Sequence, residues 1–224
     1  MSSFFRQKKL ISAGNIRRFI DRYAKKDNWH NIDKTTANLG YGWIHYGLIR
    51  NLRPRRVLVI GSRYGFIPAV CALACRDEGT GIVDFVDAGY DYVNEKQKSH
   101  WGGVGFWKKA DIKKHFGFFN LNQHIRTYVM TSKKFYRRYP RRRWGYINLD
   151  GDHSYKGVKY DFERCWPRLG NGGFISLHDI YTKRTEKFGD WEYGVYRYWE
   201  EIKRKYPNTL EFAGECGLGL LPKL

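Results

Sequence analysis

Apolar residues in this chain come in short runs that stop at glycine or at a carboxylate. Val57-Leu58-Val59-Ile60 is a continuous apolar run ending in Gly61-Ser62-Arg63-Tyr64-Gly65, and an apolar stretch of helix length, Phe66 to Ala74, follows. The pattern predicts a strand, a glycine turn and a helix. Ile82 to Val86 predicts a second strand ending at Asp87, Ile125 to Met130 a third, and Trp144 to Leu149 a fourth ending at Asp150. A helix is predicted from about Tyr155 to Arg168, with Val158, Phe162, Cys165 and Trp166 on one side. Gly172-Gly173 opens a fifth strand, Phe174 to Leu177, which ends at His178-Asp179. Val195, Tyr198, Trp199, Ile202 and Tyr206 mark one more amphipathic helix, stopped by Pro207; Thr209 to Phe212 and Leu218 to Leu221 form a closing hairpin. Strands alternating with helices predict an α/β fold: a mostly parallel sheet with a C-terminal antiparallel hairpin and helices on both faces.

Residues 1–50 read as a basic helical extension that packs on a domain spanning 51–224. Ile11, Ile16, Phe19, Ile20 and Tyr23 share a face, with Arg17, Arg18 and Arg22 off it. Leu39 to Leu52 predicts a second helix, ended by Pro54. The stretch from His100 to Asn122 carries Trp101, Phe106, Trp107, Phe116, Phe118 and Phe119, too apolar for a plain surface loop. Tyr181 to Trp191 mixes charge with Gly189 and Trp191, which suits a lid over a substrate.

The length of 224 residues fits one domain with a core that needs no disulfide or structural metal. With 42% hydrophobic and 28% charged residues, disorder throughout is excluded. No apolar run approaches the roughly 18 residues of a membrane span, and the N-terminus lacks the apolar core of a secretory signal. The expectation is a soluble cytoplasmic protein without a membrane partner. Cys71, Cys75, Cys165 and Cys216 form no CxxC pair, and Cys71 and Cys75 read as buried free thiols.

Charge changes the picture of partners. Lys plus Arg is 41 against 22 for Asp plus Glu, a net charge of +19. That favours polyanionic partners or anionic substrates, although a basic proteome or an acidic habitat gives the same surplus. Lys133, Lys134, Arg137, Arg138, Arg141, Arg142 and Arg143 form a basic run broken by Phe135, Tyr136, Tyr139 and Pro140. Such a run can bind nucleic acid, but is more often a solvated helix and loop; a phosphorylated or nucleotide-linked substrate also suits it.

In an open parallel sheet, ligands bind beyond the carboxyl ends of the strands. Here those ends carry Gly61 and Gly65, Asp87, Asp150, and His178-Asp179. A GxxxG turn lets backbone approach a ligand, and a carboxylate at Asp87 can accept two hydrogen bonds from a ribose diol. The pair points to a nucleoside-containing cofactor; the rival reading is a tight turn and a solvated strand-end aspartate. A dinucleotide is disfavoured because the pyrophosphate fingerprint lacks its middle glycine. Asp150, Asp152 and His153 together can hold a hard divalent ion such as Mg²⁺ and supply a base, with His178-Asp179 facing the same cavity if their strands are neighbours. His153 could instead cap the next helix or bond Asp150 structurally. Asp152 reads as the cap of the helix beginning near Tyr155, and Asp161 and Glu163 as members of its solvated face. His30, His45, His100, His115 and His124 show no metal-ligand spacing and read as surface or core residues.

The segments VLVIGSRYGFIP, FVDAGYD and YINLDGDHSYKGVKYDFERCWPRLGNGGFISLHDI resemble class I S-adenosylmethionine-dependent methyltransferases. More narrowly, they resemble small-molecule O-methyltransferases with a DGDHSY segment and a GG…HD strand: macrocin-type sugar O-methyltransferases, and more distantly catechol and caffeoyl-CoA O-methyltransferases. The resemblance runs from about residue 40 to the C-terminus. It implies a Rossmann-like methyltransferase fold that binds S-adenosylmethionine over 51–224, and methyl transfer to a hydroxyl oxygen of a small molecule (a sugar, phenol or nucleotide-linked acceptor). Gly61, Ser62 and Gly65 would line the methionine part and ribose of the cofactor, Asp87 the ribose hydroxyls, and Thr131 and Ser132 the adenine. Asp150 would be the first carboxylate for Mg²⁺ or another divalent cation, beside both cofactor and catalysis, with His178 and Asp179 completing that metal site. The first of that pair is usually a carboxylate, and this chain has His178. His153 matches the position of a general base. Two alternatives remain, with a hydroxylase-like relative of this family as a third. One is an RNA or DNA methyltransferase, although the chain has no NPPY-type tetrapeptide for amino-group targets; the other is a noncatalytic nucleotide- or polyanion-binding protein. The acceptor pocket would be built from residues 1–40, 100–122 and 181–192, and a homo-oligomer is left open.

Overall fold

Val57 to Ile60 are buried on both faces of strand β1 (Arg56–Ile60), as a central strand of a parallel sheet requires. The computed structural model describes residues 12–24, 29–89, 105–183, 187–188 and 191–224. Ile11, His100, Trp101 and part of the 181–191 segment fall outside these residues.

Strand β1 is flanked by β2 (Ile82–Asp87) on one side and β4 (Trp144–Leu149) on the other, both parallel to it. β3 (Ile125–Val129) continues beyond β2, and β5 (Leu169–His178) beyond β4, again in parallel. β9 (Leu218–Pro222) runs antiparallel to β5, and β8 (Leu210–Phe212) antiparallel to β9. The sheet order is β3-β2-β1-β4-β5-β9-β8. Chain direction across the sheet therefore reverses between β1 and β4, where connections diverge and leave a crevice. A separate antiparallel pair, β6 (Lys187–Phe188) with β7 (Trp191–Glu192), lies in the segment expected to be a lid.

Helices cover both faces, as expected. On one face, α1 (Ala13–Tyr23), α2 (Tyr41–Leu52) and α3 (Phe66–Glu78) share a single hydrophobic cluster with β1 and β2. Helix α1 starts at Ser12, whose hydroxyl accepts from Asn15 N–H, and it buries Ile16, Phe19, Ile20 and Tyr23. Helix α3 is buried continuously from Phe66 to Cys75 because α1 and α2 lie outside it. Two short helices, α4 (Phe106–Lys109) and α5 (Ile112–Gly117), complete this layer. Their Trp107 and Phe116 rings stack 5.7 Å apart inside the core, which accounts for the apolar character of that segment. On the other face, α6 (Ser132–Arg138), α7 (Tyr155–Cys165) and α8 (Val195–Lys205) pack through Phe135, Val158, Phe162, Trp199 and Ile202. All four cysteines are buried and free.

Three local expectations need correction. The helix expected to reach Arg168 ends at Cys165 and continues as a 3-10 turn over Trp166–Arg168, because Pro167 has no N–H with which to extend an α-helix. The fifth strand begins at Leu169 rather than Phe174, and its ladder with β4 skips from Leu169 to Phe174 opposite Trp144 and Tyr146. The glycines between them bulge, and Gly172 and Gly173 pair with the Lys223 backbone instead. Asp161 lies in the core, not on a solvated face; only Glu163 of that pair is exposed.

Burial raises the pKa of Asp161 to about 7, the Ser132 side chain opposing and Asp152 adding to the rise. One carboxyl oxygen makes no hydrogen bond. The unfolded chain releases this proton near 3.8 and the folded protein near 7. The associated stability is thus present in acid and lost as pH rises from about 4 to about 7. Asp161→Asn is expected to raise unfolding stability by about 1–3 kcal/mol near pH 8 and to change it far less in acid, read from denaturant unfolding at both pH values.

Candidate functional site

The register of the sheet brings the site together. Ile60 pairs with Val86 and with Leu149, and Leu149 pairs with Leu177. Each of the next residues, Gly61, Asp87, Asp150 and His178, therefore stands in one row along the rim. Backbone hydrogen bonds from Gly61 N–H to Val86 O (2.8 Å) and from Asp150 N–H to Ile60 O (2.9 Å) extend the ladder into that row. Gly61 has φ +78°, and a Cβ there would lie 2.1 Å from the Asp150 carbonyl oxygen. Glycine is required at this position by its neighbour on β4 as well as by its own backbone.

Asp87 sits beside the glycine turn. Ser62 N–H donates to its Oδ2 (3.1 Å) and Gly89 N–H to its Oδ1 (2.7 Å). Burial pushes the pKa of Asp87 up to about 6, opposed by these two hydrogen bonds and assisted by the Asp150 charge. Gly65, with φ +88°, starts α3, and a Cβ there would meet the Trp107 ring at 2.9 Å. Trp107 also donates its Nε1–H to Ser62 O (2.9 Å), so the turn is held from its core side. Thr131 caps α6, accepting from Lys134 N–H (3.2 Å), and the Ser132 side chain meets Asp161.

Past β4, the chain turns back over the rim. Ser154, and not Asp152, caps α7 by accepting from Gly157 N–H. Asp152 stands two residues too early for that role, and its Oδ1 accepts from Ser154 N–H (2.9 Å). This turn aims His153 inward. Its Nε2 lies 3.2 Å from Asp150 Oδ1 and 2.8 Å from Asp179 Oδ2. His178 Nδ1 faces the same two carboxylates, at 3.4 Å and 3.3 Å. The opposite nitrogen of His178 donates to the Trp29 carbonyl (2.9 Å), which fixes which side of the ring meets the carboxylates. Asp179 adopts φ +65°, a left-handed conformation uncommon for a non-glycine residue and frequent at functional sites. Thr182 Oγ1 donates to its second oxygen (2.7 Å).

His30 belongs to this cluster, which corrects its reading as an ordinary surface or core residue. Its ring stacks on His178 at 4.4 Å with an interplanar angle of 22°, and its Nε2 lies 3.7 Å from Asp150 Oδ2. The preceding Trp29 and its carbonyl belong here too, and Arg63 lies over the Trp29 ring at 4.9 Å. With Tyr193 and Cys216 they line one cavity around Asp150, His153, His178 and Asp179. Spacing gave no signal for Trp29, His30 or Tyr193, which meet the rim only in the folded chain. His45, His115 and His124 do serve the core and its edges. His45 Nδ1 is 2.6 Å from the Tyr146 hydroxyl, and burial, with nearby His30 and His178, lowers its pKa to about 3. His115 and His124 bond the Tyr64 and Gly81 carbonyls.

The electrostatics are those of two buried carboxylates shared by imidazoles. Burial opposes ionisation of Asp150, but His178, His153 and His30 outweigh it and hold the carboxyl well below its usual range. Asp179 is held low in the same way by His178 and His153. Conversely, burial opposes the charge on His153, yet Asp179 and Asp150 raise its pKa to about 10. His178 is raised well above its ordinary value by the same two carboxylates.

The site is thus a crossover crevice of a parallel sheet, rimmed by acidic and imidazole-bearing strand ends. The family described as a methyltransferase domain matches residues 58–180, more than half of the chain, and the chain belongs to that family. Solved structures share the fold. An O-methyltransferase from Bacillus cereus in complex with SAH superposes with a TM-score of 0.62 at 15% identity, covering 96% of this chain and 94% of that one. The O-methyltransferase TomG from Streptomyces achromogenes, involved in tomaymycin synthesis and in complex with SAM, gives 0.61 at 12% identity over 100% of both chains. A putative caffeoyl-CoA O-methyltransferase from Staphylococcus aureus gives 0.60 at 16% identity over 96% and 94%. At these identities the likeness is one of fold. In sequence, an uncharacterized protein y4gI of Sinorhizobium fredii is 26% identical over 195 residues, which is 86% of this chain and 20% of that protein. The chain thus spans about a fifth of the length of this curated relative. Among the described residues, no helix is long and apolar enough to cross a membrane.

Because a side chain at Gly61 would strike the Asp150 backbone, Gly61→Ala must part β1 from β4 at the rim. The variant is expected to lose about 2–4 kcal/mol of stability, measured by denaturant unfolding, the size expected for strain at a special φ combined with overpacking.

Proposed function

We propose that the protein is an S-adenosylmethionine-dependent O-methyltransferase acting on a hydroxyl of a small molecule. One observation carries this reading: His153, a base candidate, is aimed at the carboxylates of β4 and β5, in the row that also holds Gly61 and Asp87, within a methyltransferase domain. Fold neighbours solved in complex with SAH or SAM support the cofactor assignment. Asp87 would receive the ribose hydroxyls, Gly61, Ser62 and Gly65 would line the methionine and ribose, and Thr131 and Ser132 would border the adenine. Asp150 would bound the methyl end of the cofactor.

The residues also fit a divalent cation. His178 Nδ1 is buried without a hydrogen bond and faces two carboxylates, a donor set suited to a cation held by Asp150, His178 and Asp179. When bound, such an ion would polarise the acceptor hydroxyl, lower its pKa and share the carboxylate charge. The proton on His153 Nε2 is held by Asp150 and Asp179. A neutral His153 would take the acceptor's proton, and S-adenosylmethionine, when bound, would supply the methyl, its carbon–sulfur bond breaking as the carbon–oxygen bond forms and S-adenosylhomocysteine leaving. The rest of the acceleration would come from positioning.

Of the seven cations in the basic run, Arg142 serves the fold and the other six are exposed. Arg142 is taken up by Asp84 (3.0 Å) and stacks on Tyr139 (3.7 Å). Arg143 directly precedes β4 and so lies at the end of the sheet opposite the rim. A partly anionic acceptor would meet Arg63 at the cavity. The four buried free thiols suit the reducing cytoplasm.

Calorimetric titration with S-adenosylhomocysteine is expected to show micromolar binding that Asp87→Ala weakens by about 10- to 100-fold, as loss of charge-assisted hydrogen bonds requires. Because Asp87 ionises near pH 6, wild-type affinity should fall as pH drops below that value, whereas Asp87→Asn should show no such dependence. Absence of binding to folded wild type would sink the reading. With an acceptor in hand, His153→Ala should lower kcat by about 100-fold or more while leaving S-adenosylhomocysteine affinity unchanged.

A further inference from the structure

We infer that His30, contributed by the N-terminal segment, is a metal ligand, and that it converts the rim carboxylates into a mixed imidazole–carboxylate centre for a transition ion such as Zn²⁺ or Co²⁺ in preference to Mg²⁺. This rests on reading the cavity as the reaction site, and it adds a ligand that the motif-bearing strands do not supply.

The donor atoms are already gathered. His30, Asp150 and His178 offer ligand atoms within 4.8 Å of one another, and Asp150 belongs as well to a second such group with His153 and Asp179. His178 Nδ1 lies 3.4 Å from Asp150 Oδ1 and 3.3 Å from Asp179 Oδ2, and His30 Nε2 lies 3.7 Å from Asp150 Oδ2. Donors held at about 2.1 Å by one ion stand about 3.0 Å apart at right angles and about 3.4 Å apart at tetrahedral angles. The imidazole–carboxylate separations of 3.3, 3.4 and 3.7 Å stand close to these values.

The seating of His178 points the same way. His178 Nδ1 is buried and makes no hydrogen bond, although its ring is fixed by the bond from Nε2 to the Trp29 carbonyl. A neutral His178 oriented in this way presents a lone pair between two carboxylates. Bonding the far ring nitrogen to a backbone carbonyl is how ligating histidines are usually held. Thr182 does the equivalent for Asp179 through its second oxygen.

His30 is also seated with care. Tyr41 N–H donates to its carbonyl (2.9 Å), and a Cβ at Gly40 would lie 2.1 Å from that same oxygen. Gly40, at φ +54°, therefore lets the chain bring His30 against His178 at the start of α2. Mg²⁺ takes oxygen donors and keeps its waters, whereas two imidazoles gathered on one carboxylate suit Zn²⁺ and its first-row neighbours.

The test uses the full chain, stripped with chelator and titrated with Zn²⁺, Co²⁺ and Mg²⁺ against a chromophoric competitor. Wild type, His30→Ala and His30→Gln are compared, with S-adenosylhomocysteine binding measured in parallel. One equivalent of Co²⁺ or Zn²⁺ should bind at least about 100-fold more tightly than Mg²⁺. Both variants should lose about tenfold or more of that affinity and shift the visible absorption of the Co²⁺ form, with S-adenosylhomocysteine affinity retained. Variants that bind Co²⁺ with wild-type affinity and spectrum would overturn the assignment of His30. Mg²⁺ binding as tight as Co²⁺ would overturn the ion preference, and this is read on wild type even if a variant does not fold. Folded wild type that binds no metal would leave the cluster as an ion-pair network and overturn the proposal. Metal binding that depends on His30, in a protein that ignores S-adenosylhomocysteine, would uphold the centre and defeat the methyltransferase reading instead.

Discussion

Two backbone hydrogen bonds, Gly61 N–H to Val86 O and Asp150 N–H to Ile60 O, carry the parallel ladder one residue beyond its last apolar pairs. Everything at the rim hangs from that step. It places a glycine, two carboxylates and an imidazole in one row, and it forces β1 and β4 so close that only glycine fits opposite the Asp150 carbonyl. The apolar residues below supply the stiffness. Val57, Leu58, Val59, Tyr146 and Ile147 are fully buried between two helical layers, and a core packed to that extent does not let one strand slide against another without cost. Hydrophobic burial thus sets the register, and the register sets the chemistry.

The cluster above the rim is expensive to bury. Two carboxylates in a low-dielectric cavity destabilise the fold unless cations sit against them. Here His153 and His178 do so, each touching both carboxylates. His45 shows the opposite outcome for the same residue type. It bonds a tyrosine hydroxyl and, among the described residues, touches no carboxylate, and burial, with nearby His30 and His178, keeps it neutral. The difference lies in the neighbours. The groups are braced from outside as well: the Trp29 carbonyl fixes the His178 ring and the Thr182 hydroxyl holds Asp179.

Much of this was legible in the sequence. Five apolar runs with polar residues just after them gave the parallel sheet, its order of strands and helices, and the rim residues Gly61, Asp87, Asp150, His178 and Asp179. The readings that failed did so for identifiable reasons. Asp161 looked like the polar side of an amphipathic helix, but α6 packs against that side and buries it with Tyr136. Asp152 has a capping residue's chemistry and stands two positions too early for it. The glycines before Phe174 read as a turn, yet their backbone pairs with the C-terminal strand and joins β5. His30 was beyond any local pattern. It lies 120 positions before Asp150 by residue number, and only the packing of α1 and α2 on α3 brings it there.

That last point bears on how the N-terminal segment and the site depend on each other. Helices α1 and α2 bury their apolar faces in the same cluster as α3 and β1, so the link between them is anchored at both described ends. The Trp29 carbonyl fixes the His178 ring, His30 stacks on that ring, and Arg63 from the glycine turn closes over the Trp29 indole. One short stretch of chain therefore touches the strand ends of β1 and β5 and narrows the cavity between them. A change in residues 29–30 would alter the cavity wall and the imidazole set together while leaving the sheet intact. In this fold the strands hold the carboxylates in place, and the N-terminal segment lays an indole and an imidazole across them.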